Sequence, residues 1–125
     1  MTHLTRELNR DAWRSYFDEL SRDLGAVEAT IEVEGSDLGA QVEADRLILS
    51  GISYDDADDV LVIDVEAPGG GRENLEHLVS SPKRILVDAA EGVLPSTIDI
   101  EDSESHRTLV LMRRVAALPA DQREL

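Results

Sequence analysis

Apolar residues near the start of the chain recur with a helical period. Trp13, Phe17, Leu20 and Leu24 are spaced four, three and four apart, so they form one stripe, and Arg14, Asp18, Arg22 and Asp23 fall outside it. Asn9 stands at a capping position, Asp11 falls in the first turn, Leu8 and Trp13 can staple, and Gly25 supplies a stop. The spacing predicts a helix over 10–24. After Gly25 the period drops to two. Val27, Ala29, Ile31 and Val33 alternate with Glu28, Thr30, Glu32 and Glu34, which predicts a strand with one apolar and one acidic face. Gly35-Ser36-Asp37 is a turn signal, and Leu38, Ala40, Val42 and Ala44 complete a hairpin. A turn at Ala44-Asp45 leads to a third strand over 46–54, and Val60–Val65 is apolar enough for a central strand. Leu75, Leu78 and Val79 have helical spacing, so 73–79 reads as a short helix ending before Pro82. Strands follow over 84–88, 97–101 and 107–112, the last two as a hairpin.

Strands in runs joined by short turns imply an α+β fold. The expected architecture is one long N-terminal helix packed on a largely antiparallel sheet of about six to seven strands, with a second short helix. Closure into a small barrel is left open. No repeat or linker divides the chain, so 1–125 is expected to be one domain, with a core over about 8–115 and a tail over about 118–125.

Composition narrows the classes. The 125 residues are 42% hydrophobic and 31% charged, too apolar for a disordered chain. With no cysteine, disulfides, thiolate metal sites and cysteine nucleophiles are excluded. No apolar run is long enough to span a bilayer, and the N-terminus has no apolar signal region, so a cytoplasmic protein is expected.

The net charge is −15, with 27 acids against 12 bases, and Lys83 is the one lysine. A chain so acidic lacks the basic face that free nucleic acid or an anionic membrane requires, so neither is an expected partner. Solvation is the default reading of the acidity, as in proteins kept soluble in concentrated salt, where repulsion is screened. Ordinary acidity in a high-GC genome, where arginine displaces lysine, is the second. A surface that docks a basic protein is the third. Its candidate face is Glu28, Glu32 and Glu34, which project from one side of one strand. Such a stripe either faces water or meets arginines, from this chain or from a partner.

Candidate chemistry is thin. The run Asp55, Asp56, Asp58 and Asp59 invites a cation, but Ala57 and Val60 fall where a calcium loop needs ligands or glycine. A looser divalent site is the weaker reading, and an aspartate-rich turn the stronger. Ser80-Ser81-Pro82-Lys83 matches the Ser-x-x-Lys pattern of acyl-enzymes, yet Pro82 interrupts the helix that pattern needs and its partner motifs are missing. Gly69-Gly70-Gly71 precedes the expected short helix without the lysine of a phosphate loop. His3, His77 and His106 have no zinc spacing, and His77 beside Glu73 or Glu76 reads as a surface pair. No cofactor is expected and no catalytic residue is assigned.

Several segments together resemble a family of small prokaryotic proteins known as a domain of unknown function. They are Trp13 with its helix, Ile31-Glu32-Val33-Glu34-Gly35, Ile52-Ser53-Tyr54-Asp55, Leu78-Val79-Ser80-Ser81-Pro82 ahead of Ile85, and Ile98-Asp99-Ile100. The resemblance covers about residues 8–112 and implies no activity, cofactor or site.

The functional expectation is a non-catalytic interaction or accessory module whose partner is a basic protein or a second copy of the chain. The alternative is a small-molecule-binding protein or enzyme with a pocket between helix and sheet. An enzyme should show converging polar groups in a concavity, whereas an interaction module should show an apolar patch, flat or on an edge strand.

Overall fold

The computed structural model describes residues 5–35, 39–67, 74–90 and 92–115. Within them the chain is mainly one antiparallel sheet of eight strands: β1 (Arg6–Glu7), β2 (Val27–Glu34), β3 (Gln41–Asp55), β4 (Val60–Glu66), β5 (Asn74–Ser80), β6 (Pro82–Val87), β7 (Thr97–Asp102) and β8 (Arg107–Arg114). The strand order is β1-β6-β7-β8-β2-β3-β4-β5. One short helix, α1 (Trp13–Arg22), follows a 3-10 turn at Arg10–Ala12.

This corrects the expected α+β fold. There is no long N-terminal helix, because the stripe from Trp13 to Leu24 is only partly helical. The first turn is a 3-10 turn that Asn9 closes through its backbone carbonyl, not its side chain. At the other end the Asp23 amide is shared between the Glu19 and Leu20 carbonyls, each at 3.3 Å, which tightens and ends the last turn. Leu24 is buried beyond the helix, on the way into β2.

The expected second helix is a strand, β5. It pairs with β4 in unbroken register from Val60↔Ser80 to Glu66↔Asn74. Tertiary pairing overrides the helical spacing of Leu75, Leu78 and Val79, because seven residues of β4 offer a ladder and the isolated helix would bury almost nothing. The sheet is also not a closed barrel. Among the described residues β5 pairs only with β4, and β1 only with β6. Yet Ser81 alone separates β5 from β6, near opposite ends of the strand order, so the sheet must curl until these strands meet. Ser81 takes φ +53°, its amide donates to the Asp59 carbonyl (2.8 Å), and its carbonyl accepts from the Ser103 amide (3.0 Å).

The turn expected at Ala44-Asp45 is a bulge inside the fifteen-residue β3. Asp45 and Arg46 together oppose Thr30, Arg46 has φ +55°, and the Arg46 amide donates to the Thr30 hydroxyl (3.1 Å). Glu43 is a second extra residue, between the Ile31↔Ala44 and Glu32↔Val42 pairs, and a third irregularity at Ser50 shifts the side-chain phase, so Leu49 and then Ile52 and Tyr54 face inward. β2 pairs with β3 no further than Ile48, and α1 covers the edge beyond. There the Ser21 hydroxyl donates to the Ile52 carbonyl (2.8 Å) and accepts from its amide (2.9 Å). The core inside the curl holds Trp13 and Phe17 of α1 against inward residues such as Ile31, Ile63, Ile85 and Ile100. Among the described residues no helix is long and apolar enough to cross a membrane. The Gly69–Gly71 run, the Ser36-Asp37 part of the first turn, His3, Glu73 and the tail over 118–125 lie outside the described residues.

Candidate functional site

Charge is divided unevenly over the outward face of the sheet. On the half formed by β6, β7, β8 and β2, acids and arginines alternate. Glu28 faces Arg113 and Glu34 faces Arg107 across the β2–β8 ladder. The Arg113 guanidinium donates to Glu28 (2.9 Å), and Arg107 lies 3.7 Å from Glu34 and donates to Asp99 at 2.5 and 3.2 Å. Those Asp99 bonds hold the Arg107 guanidinium still more firmly protonated than usual. Arg84 reaches Glu7 (3.4 Å) and Glu101 (4.0 Å). Two of the three glutamates of the candidate stripe thus meet arginines of this chain, while Glu32 lies between Leu109 and Val42 in the ladders. Glu32 has no ion pair among the described residues.

The half formed by β3, β4 and β5 is different. From Leu47 to Ser80 the described residues include seven acids and no lysine or arginine, with Arg72 outside them. Asp64 faces Glu76 directly across the β4–β5 ladder. Partial burial, then the Glu76 charge and its hydrogen bond, push the Asp64 carboxyl above its usual range. Two like-charged groups side by side with no base between them are destabilising by themselves, and a cation brought to them would relieve that. Glu66 accepts from the Ser50 hydroxyl (2.7 Å).

β5 closes this half. On its outward face stand Asn74, Glu76, Leu78 and Ser80, and on its inward face Leu75, His77 and Val79, as their β4 partners dictate. Val79 is buried, but Leu75 is 48% exposed and Leu78 55%. Leu78 is the residue that imitates helical spacing. An apolar residue in the polar phase of a strand was therefore the sequence signal of this surface, and the helical reading concealed it. Burial lowers the pKa of His77, with Glu43 opposing the shift.

The aspartates of the 55–59 turn have separate roles. Asp55 accepts from the Ala57 (3.0 Å) and Asp58 (3.2 Å) amides and so closes the turn. Asp56 lies 3.5 Å from exposed Arg14. Asp59 accepts from the Tyr54 hydroxyl (2.6 Å) and lies 3.4 Å from Arg10, whose guanidinium also donates to the Pro82 carbonyl (2.9 Å) and stacks over Trp13 at 4.5 Å. Burial, and then the Asp59 hydrogen bond, raise the Tyr54 pKa. This cluster fastens the N-terminal turn to the β5–β6 junction. Among the described residues no group of three or more His, Asp or Glu side chains is placed to hold a metal ion. Ser80–Lys83 forms the strand-to-strand junction, with no helix behind it.

Two concavities stand out among the described residues. One, of about 450 Å³, lies between α1 and the 92–94 loop, with Arg6, Tyr16, Leu20, Val93 and Arg114 among its walls. It is the site where a pocket between helix and sheet was expected. Its Tyr16 hydroxyl is raised in pKa by burial, with Arg6 opposing and Asp88 adding to the shift. The other, of about 360 Å³, lies in the seam between β5 and the β7–β8 turn, bounded by His77, Ser80, Asp102, Glu104, His106 and Thr108. There His106 Nδ1 is 3.8 Å from both Asp102 and Glu104, beyond hydrogen-bonding distance.

The chain is 36% identical over 115 residues to an uncharacterized protein of Aquifex aeolicus (strain VF5), spanning 92% of this chain and 97% of that one. No solved structure matches it. A family model described as "Family of unknown function (DUF5335)" matches residues 4–121. Nearly the whole length of the chain takes part in both likenesses, and the chain belongs to this family of unknown function.

Proposed function

We propose that the protein is a non-catalytic interaction module that holds a basic protein partner against the outward face of β3, β4 and β5. The observation that carries this reading is the Asp64–Glu76 carboxyl pair, set in the stretch from Leu47 to Ser80 that has no base among the described residues, beside exposed Leu78. The other half of the sheet supports the contrast, because Glu28, Glu34 and Asp99 there already have arginines in register. Solubility alone asks only for net charge and does not favour paired carboxylates next to exposed leucines. Electrostatic complementarity of this kind sets on-rate and partner choice.

The test is affinity capture with the tagged full chain at the host's own salt, followed by mass spectrometry. Glu66→Lys/Glu76→Lys should lose the captured basic protein, and Glu32→Lys, on the other half, should retain it. Equal capture by both variants would overturn the proposal and leave solvation as the account of the charge.

A further inference from the structure

We infer that the edge of β5 takes up one extended segment of a partner protein as an added strand, with a lysine or arginine of that segment opposite Glu76 and an apolar residue opposite Leu78. The inference rests on the interaction-module reading and specifies how that surface holds its partner.

The two margins of the sheet are built differently. An unpaired strand edge is a template for another chain, and proteins blunt such edges with short strands, proline, lysine, bulges or cover. The β6 margin has these devices: Pro82 opens the strand, Lys83 and Arg84 follow, and the two-residue β1 covers Leu86 and Val87. β5 has seven residues and no proline, lysine or bulge. Among the described residues the only backbone bonds of Asn74–Ser80 are those to β4, and the nearest bond across the seam is at Ser81. In an antiparallel pair alternate residues point their amides and carbonyls away from the partner strand, so Asn74–Ser80 leaves those groups unpaired along an edge whose second half, from His77 to Ser80, borders the seam concavity opposite Asp102, Glu104 and His106.

The side chains select the mode of docking. Leu75 and Leu78 are both about half exposed, and they lie on opposite faces of the sheet. A ligand lying on one face could cover one of them. A strand added beside β5 covers both, because its own side chains alternate between the same two faces. Charge then selects the occupant. The Asp64–Glu76 pair stands on the outward side, and Asp102 and Glu104 stand across the seam. A second copy of β5, paired antiparallel about His77, would set Glu76 diagonally across from its own counterpart with an Asp64 behind each. That arrangement gathers four carboxyl groups, whereas a basic segment neutralises the two already present.

The probe is an acetylated eight-residue peptide, Lys-Thr-Val-Thr-Lys-Val-Lys-Thr, whose first valine and central lysine stand two residues apart so that they can lie opposite Leu78 and Glu76, titrated into the 15N-labelled full chain. Amide shifts confined to β5 and its β4 neighbours, with slowed hydrogen exchange within 74–80, are expected. The same peptide N-methylated at alternate residues keeps its charge but cannot complete a ladder, and should bind at least tenfold more weakly. Glu76→Lys should weaken the unmodified peptide by a similar factor without altering the remaining spectrum. Equal binding of both peptides on this face would overturn strand addition while the charge reading stands. No binding of either peptide to the β3–β4–β5 face would overturn both. A dimer seen by sedimentation without peptide, with 74–80 already protected, would make a second copy the occupant and overturn the basic segment.

Discussion

Replacing Asp64 with asparagine should make the protein more stable at neutral pH, the reverse of what loss of a native polar side chain usually does. Asparagine keeps the shape and removes the charge facing Glu76. Like charges directly opposite on an antiparallel pair cost about 0.2–1 kcal/mol. Coulomb's law gives a similar figure, about 0.8 kcal/mol for ~5 Å at the dielectric constant of water. Asp64 is only partly buried, so solvent-screened values apply rather than those of a dry interior. The expected gain is therefore about 0.5–1 kcal/mol at low salt, or about 0.3–0.7 M in the urea midpoint with the slope unchanged. The pH dependence has a definite sign. The Asp64 carboxyl titrates higher in the folded state than in the unfolded chain, so its own contribution to wild-type stability is fully present at low pH and is lost as pH rises through the raised folded value. The advantage of Asp64→Asn should vanish in acid, where Asp64 is protonated in both states, and grow to a plateau toward neutrality. It should also shrink toward 1 M KCl, where the Debye length is ~3 Å. Urea titrations at several pH values and two salt concentrations, followed by fluorescence of the single tryptophan, Trp13, measure all three effects. A variant no more stable than wild type at pH 7, or a gain that ignores pH, would refute the placement of these two carboxyls against each other.

Two stability predictions follow from the packing. Ser21→Ala should cost about 1–3 kcal/mol, since both the amide and the carbonyl of Ile52 lose their side-chain partner at a partly buried site; the exposed Ser15→Ala is the control, and equal midpoints would refute the staple. Trp13→Ala should cost about 3–5 kcal/mol, because the ring is 1% exposed, meets Tyr54 edge-on at 5.2 Å and donates to the Leu8 carbonyl at 3.2 Å. A thermal or chemical midpoint within experimental error of wild type would mean that Trp13 is not part of the core.

What the sequence settled by itself is local. Local pattern located β2, β4, β7 and β8 to within a residue or two: β2 by its period-two alternation, as a strand half buried against a core requires, β4 by a nearly continuous apolar run, and β7 and β8 as a hairpin. The stripe of Trp13 and Phe17 was legible for the same reason, although the helix beneath it is shorter than its pattern suggested. The acidity, the absence of cysteine and the likeness to a family of unknown function also needed no coordinates. The tertiary structure decided everything that depends on neighbours distant in sequence. It made 74–80 a strand, since the free edge of β4 outweighs a helical spacing carried by only three residues. It joined two expected strands into β3, because Arg46 and Ser50 can be absorbed as bulges only against particular residues of β2 and β4. It gave Glu28 and Glu34 arginine partners from β8, roughly eighty residues away, and left Asp64 facing Glu76. Side-chain phase is written into each strand, but which strands lie side by side is set by the packing of the whole chain, and the pairing of charges follows from that.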